Sequence, residues 1–189
     1  MNVTRALLAA ALGVAALAGC AAAPAAPLAA VPITSVAGWA PVTDAGTGVR
    51  ADLPGPARQE SEPVIAPDRE VRGVAHHALE PTGRVEAVLH ISPLPGDERV
   101  APQQAAERTA YLLSGELSRS APLVAEGHPA VDARIDGWAR TEGSGRGTLL
   151  LRIIDTPGFE VTVEANGDLA DAALVREVFD RVCRTLRIP

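Results

Sequence analysis

The chain has 189 residues and a formal net charge of −6, and all 17 of its basic residues are arginine. This acidic balance excludes nucleic acid as a partner, because a polyanion is bound by exchanging its counterions for basic side chains. It also leaves no basic patch to hold the protein on acidic lipid headgroups, and an aromatic content of 3% offers few platforms for stacking a sugar.

Residues 1–19 begin with a short segment bearing Arg5, continue through an Ala- and Leu-rich stretch too short to cross a bilayer comfortably, and end in small residues. That is the layout of a secretory leader and not of a fold element. Leu17, Ala18, Gly19 and Cys20 resemble the lipobox of bacterial lipoproteins. The resemblance implies cleavage before Cys20, a diacylglycerol thioether on its sulfur, and residence on the outer face of the cytoplasmic membrane or at the cell surface. Each buried methylene adds about 0.8 kcal/mol of membrane affinity, and two acyl chains anchor durably where one is marginal. The plainer alternative is an ordinary leader cut after Ala18 or Ala22, with Cys20 incidental. The lack of lysine and the surplus of Ala, Gly and Pro fit GC-rich coding, as in an actinobacterium.

Residues 20–38 are rich in Ala and Pro without helical or strand periodicity, and read as a tether extended at about 3 Å per residue. Residues 39–189 suffice for one domain around one core. Val49, Ala51 and Leu53 alternate with Arg50 and Asp52 as an opening strand that Pro54, Gly55 and Pro56 terminate. A second strand is expected over 58–64. The clearest hairpin joins 71–79 to 84–92 through Pro81, Thr82 and Gly83, with Val85, Ala87, Leu89 and Ile91 on the core face.

Residues 102–119 switch to a helical period, with Ala106, Ala110, Leu113 and Leu117 on one side and Gln104, Arg108 and Tyr111 away from it. Pro102 suits the first turn. Strands follow over 123–126, 130–135, 148–155 and 159–165, turning at Gly127, His128 and Pro129 and at Thr156, Pro157 and Gly158. A helix over 171–186 closes the chain on a stripe of Val175, Val178, Phe179, Val182 and Leu186. Asp168 and Asp171 near its start and Arg184 and Arg187 near its end complement the helix dipole.

Sequential hairpins with one middle and one closing helix imply an α+β class, an antiparallel sheet packed against helices, with six to eight strands. Val85, Leu89, Leu113, Leu117, Val161, Val163, Phe179 and Val182 are its expected core. The order of elements resembles the PsbP-like fold of small secreted bacterial lipoproteins. The resemblance is carried by the opening strand from Val49 to Gly55, the hairpins, the middle helix, the turn at Glu126 to Ala130 and the ending Thr185, Leu186, Arg187, Ile188. It implies a sandwich with a non-catalytic binding or assembly role and transfers no site residue.

Candidate chemistry is sparse. Strand parity places His77 with Val71, Ala75 and Leu79 on the apolar face, and sets His76, His90 and Glu86 together on the other, where two imidazoles and a carboxylate would suit zinc. Ordinary polar partners under a helix explain the same residues. Ser144 lies in a glycine-rich hairpin tip that lacks the lysine of a phosphate loop. Asp132 with Asp136 and Glu160 with Glu164 read as solvated faces, and Cys183 as an inert, partly buried thiol. Phe159 and Phe179 fit the core, which leaves Tyr111, Trp138 and Trp39 as candidate contacts.

The sequence thus reads as a lipid-anchored, exported interaction or assembly module of the cell envelope, without enzyme activity, cofactor or metal. Its expected partners are the membrane, through lipid on Cys20, and another envelope protein. The alternative is a carrier of an apolar envelope ligand, such as a lipid or glycolipid, held between sheet and helix.

Overall fold

A computed structural model of the chain describes residues 38–65, 70–94, 99–139 and 145–189. The expected leader and tether, Cys20 and Ser144 lie outside them. β1 (Ala40–Thr43) and β2 (Arg50–Leu53) form a two-stranded ribbon. β3 (Arg58–Ile65), β4 (Glu70–Leu79), β5 (Val85–Ser92), β6 (Glu116–Ala125), β7 (His128–Ala139), β8 (Arg146–Asp155) and β9 (Glu160–Asp168) form one sheet in the order β3-β4-β5-β9-β8-β7-β6. Every pairing is antiparallel. The chain zigzags from the β3 edge to β5, crosses one face through α1 (Pro102–Leu113) to the β6 edge, and zigzags back until β9 pairs with β5. This is the expected α+β architecture, and α2 (Ala172–Thr185) packs on the face opposite α1.

Alternation along the strands decides which side chains each helix covers. Leu89, Val161, Val163 and Ile154 meet Val175, Val178, Phe179 and Val182 of α2, and Val49, just before β2, with Ala51 and Leu53 of the ribbon closes the same core. Asp52 N–H donates to Thr185 Oγ1 at 2.9 Å, and Arg50 and Arg187 exchange backbone bonds, so the ribbon is tied to the end of α2. Beneath α1, Ala106 and Ala110 lie on Val131, Ala133, Ile135, Leu149 and Leu151. Alanines at the contact let this helix sit close, leaving Leu113 and Leu117 half-buried at its rim.

Four expectations need correction. α1 ends at Leu113 instead of running to residue 119: Ser114 takes a left-handed conformation (φ 53°), and Gly115 N–H donates back to Ala110 O. Gly115 is required there, since a Cβ would lie 2.6 Å from Ile135 Cγ2. Leu117 therefore belongs to β6. The strands among the described residues number nine, the addition being β1, whose four residues are too few to display an alternation. Strands β6 and β7 are also longer than the short runs expected over 123–126 and 130–135.

The fourth correction concerns the β4–β5 hairpin. The Glu80 carboxylate accepts from the backbone N–H of Thr82 and Arg84 and from the Thr82 hydroxyl, while Glu80 N–H donates to Val85 O. This organised connection sets Leu79 opposite Glu86 and His76 opposite Leu89. The register differs by one residue from that expected, which exchanges the faces of β4. His76 points to the α2 side, His77 and His90 share the α1 side, and Leu79 is 59% exposed instead of core. His76 and His90 do not meet.

Leu89 is fully enclosed at the junction of β4, β5 and β9. Leu89→Ala is expected to cost about 2–4 kcal/mol by opening a cavity. Urea unfolding measures this, and a change below about half a kcal/mol would misplace the residue.

Candidate functional site

The α1-side face of the sheet is divided. α1 rests on β6, β7 and β8. On the remaining strands the same face presents Arg58, Glu60 and Glu62 of β3, Gly73, Ala75 and His77 of β4, Glu86, Val88 and His90 of β5, and Thr162, Glu164 and Asn166 of β9. Pairing across four strands thus collects charged groups that are as far as 106 positions apart in sequence, from Arg58 to Glu164.

His77 is the centre of this group. Its Nδ1 lies 3.2 Å from Glu86 Oε1 and its Nε2 lies 3.1 Å from Glu62 Oε1, so the imidazolium form donates to two carboxylates. Glu86 also accepts from Asn166 Nδ2 at 3.4 Å, and Arg58 Nε lies 2.7 Å from Glu60 Oε1. Glu60 is opposite Ala75 and Glu62 opposite Gly73, and these two small residues leave room for Glu62 to reach along the strand to His77. His90 lies over Gly73: a Cβ there would be 2.5 Å from its Nε2, which is buried and has no hydrogen-bond partner among the described residues.

The electrostatics follow from this geometry. The hydrogen bond to Glu86, reinforced by Glu62, raises the His77 pKa above its usual value, and the same bond lowers that of Glu86. Burial depresses His90 and His76. Glu164 is pushed up to about 7, first by burial and then by the negative charges of Glu62 and Glu86. The group can therefore hold protons near neutrality or accept a cation.

Other residues singled out in the sequence are dispersed. Tyr111 is 82% exposed on α1. Trp39 is half-buried with the Arg181 guanidinium 4.1 Å above its ring, and Trp138 is half-buried against Gly147, so both indoles are parts of the fold. Asp132 binds Arg152 through both oxygens at 2.6 and 2.8 Å, and Asp136 accepts from Arg134, Ser118 and Thr148. These two, like Glu160 and Glu164, are half-buried instead of lying on freely solvated faces, and burial raises Glu160 as well. Cys183 is a free thiol that burial pushes up to about 12. Sequence reasoning placed Glu86 and His90 on one face but with His76 in the place of His77, paired Glu164 with Glu160, and missed Glu60, Glu62 and Asn166 as their neighbours. The Glu-x-Glu pattern on β3 is the one local signal for the first two.

Among solved structures, the solution structure of cyanobacterial PsbP (CyanoP) from Synechocystis sp. PCC 6803 matches over 87% of this chain and 100% of its own, with a TM-score of 0.57 and 13% identity. This chain has a PsbP-like fold. LpqN of Mycobacterium tuberculosis, involved in cell envelope biogenesis, matches with a TM-score of 0.49 and 16% identity over 80% of this chain and 91% of its own. Protein PA94 of Pseudomonas aeruginosa, of unknown function, gives 0.47 and 16% over 80% and 96%. At these identities the likeness is one of fold. No family model and no curated protein matches the sequence.

The raised pKa of Glu164 has a definite sign. An unfolded glutamate titrates near about 4.3, so the fold favours the protonated carboxyl, and its contribution to stability is lost as pH rises from there through about 7. Glu164→Gln, which stays neutral, is expected to gain about 3–4 kcal/mol over wild type at alkaline pH relative to acid pH. Urea midpoints at both ends of that range give the comparison, and an equal effect at both ends overturns the assignment.

Proposed function

We propose that the protein is a lipid-anchored extracytoplasmic module without catalytic activity of its own, and that its folded part docks on another protein of the cell envelope. The lipobox-like Leu17, Ala18, Gly19 and Cys20 support the address. The observation that carries docking is the outer face of α1, where Tyr111 is 82% and Leu112 42% exposed while Ala106 and Ala110 bind the other side of the helix to the sheet. Large aromatic side chains anchor protein interfaces out of proportion to their number. With both tryptophans engaged in the fold, Tyr111 is the aromatic side chain that remains free for this.

The carrier reading has less support. Val161, Val163, Val182 and Phe179 fill the space between sheet and α2. The groove beside them, where Leu123, Leu150 and Phe179 meet Arg119, Arg134 and Arg176, has a volume of about 120 Å³, whereas sites for organic ligands usually offer about 300–1,000 Å³.

Crosslinking in intact cells is expected to give a membrane-protein adduct that Tyr111→Ala reduces severalfold. A lipid that reproducibly co-purifies in native mass spectrometry, with no protein adduct, would favour the carrier instead. Cys20→Ser is expected to abolish labelling by a fatty-acid analogue, and equal labelling of wild type and variant removes the anchor from the proposal.

A further inference from the structure

We propose that the α1-side face of β3 and β4 holds a site for a divalent first-row transition cation, with Glu60, Glu62 and His77 as ligands and Glu86 as the group that orients His77. One donor atom from each of the three lies within 4.8 Å of the other two. All three stand on paired strands, so the donors are fixed by the sheet and not by a loop.

The hydrogen bonding around His77 is an independent argument. A metal-binding histidine usually gives its second ring N–H to a carboxylate that is itself hydrogen-bonded, which fixes the ring and raises the basicity of the coordinating nitrogen. Glu86 takes that position at Nδ1 and is in turn supported by Asn166. The other nitrogen, Nε2, is thereby directed at Glu62. Gly73 and Ala75 keep the floor beneath Glu62 and Glu60 low, and the nearby His90 Nε2 leads to no hydrogen-bond partner among the described residues.

Charge favours a cation over an anion here. Among the described residues of this face, Glu60, Glu62, Glu86 and Glu164 stand against Arg58, His77 and His90, four carboxyl groups against one guanidinium and two imidazoles. Arg58 competes for Glu60, but its side chain is 69% exposed and free to swing into solvent. A mixed imidazole and carboxylate set suits zinc and its neighbours, whereas magnesium and calcium prefer oxygen donors throughout. On binding, the Nε2 lone pair and one oxygen from each of Glu60 and Glu62 bond the ion, and the proton shared between Nε2 and Glu62 leaves to solvent. Three protein ligands leave a fourth tetrahedral position for water or a partner's side chain.

The test is zinc titration by calorimetry on the full chain carrying Cys20→Ser, stripped with chelator and kept in mild detergent. The expected result is one zinc per chain, with a heat that varies with buffer ionisation enthalpy because a proton is released. Binding should be abolished by His77→Ala and by Glu62→Gln, weakened about 10–100-fold by Glu86→Gln, and retained by His128→Ala, a histidine at the β6–β7 turn. Glu62→Gln conserves shape at a half-exposed position, so with an unchanged circular dichroism spectrum its loss of binding cannot be ascribed to unfolding. No saturable binding at millimolar zinc, or full binding by His77→Ala, overturns the site.

Discussion

The pairing of β5 with β9 is the constraint on which the architecture depends. Two antiparallel meanders, β3 to β5 and β6 to β9, would otherwise be separate ribbons, and this one ladder joins them in the middle of the sheet. Its register sets Ala87 opposite Ala165, Leu89 opposite Val163 and Ile91 opposite Val161, a block of apolar side chains on one face. α2 rests on that block and covers the seam. Because β5 and β9 lie far apart in sequence, closing the sheet orders the whole α1 to β8 stretch between them. That entropy must be offset by burial at the seam, which explains why the most enclosed side chains gather there.

Helix and sheet dimensions explain the open polar face. Seven strands about 4.8 Å apart make a sheet about 30 Å wide, while a helix with its side chains is about 10–12 Å across. One helix covers two or three strands and no more. On the α2 side the β1–β2 ribbon extends the cover, tied down by Asp52, Thr185, Arg50 and Arg187. On the α1 side the helix sits over β6, β7 and β8, and the rest of that face must be polar to remain soluble without a partner. Glu62, His77 and Glu86 stand where α1 does not reach.

Elements with a long, strict period were legible in the sequence. The apolar stripe of α2 and the alternation of β5 and β9 marked both their type and their buried residues, since each carries enough side chains to establish a phase. The end of α1 was hidden because Leu113 and Leu117 continue the helical spacing while Ser114 and Gly115 break the backbone. The face of β4 was hidden for another reason. Both of its faces carry small or aliphatic residues, so the register is decided by the turn, and the Glu80 carboxylate that organises the turn leaves no periodic trace. The candidate site depends on that register and on which strands become neighbours, neither of which is a local property. Glu164 illustrates this: alternation alone made it a solvated partner of Glu160, whereas β3 and β5 bring Glu62 and Glu86 close to it.

The charged group and the exposed tyrosine are related by the same topology. α1 crosses from the centre of the sheet to the β6 edge on one face, so its outer side, with Tyr111 and Leu112, and the uncovered strands with Glu60, Glu62 and His77 are presented on the same side of the sheet. In the proposed reading, a partner that buries Tyr111 approaches over a surface with an apolar step at one end and an acidic floor at the other. The apolar step contributes through burial of its ring, which is insensitive to salt. The acidic floor repels acidic surfaces and admits basic ones, and so acts on selection and approach more than on the energy of the final contact. Glu164 makes that floor costly to the fold, because it is desolvated beside two like charges and His77 offsets this in part. An apolar residue at this position of β9 would continue the layer formed by Leu149, Leu151 and Ile153 on β8 and would remove the cost. In the proposed reading, β9 departs at Glu164 from the locally stable choice that α2 and β5 follow, as a position kept for function in preference to stability would.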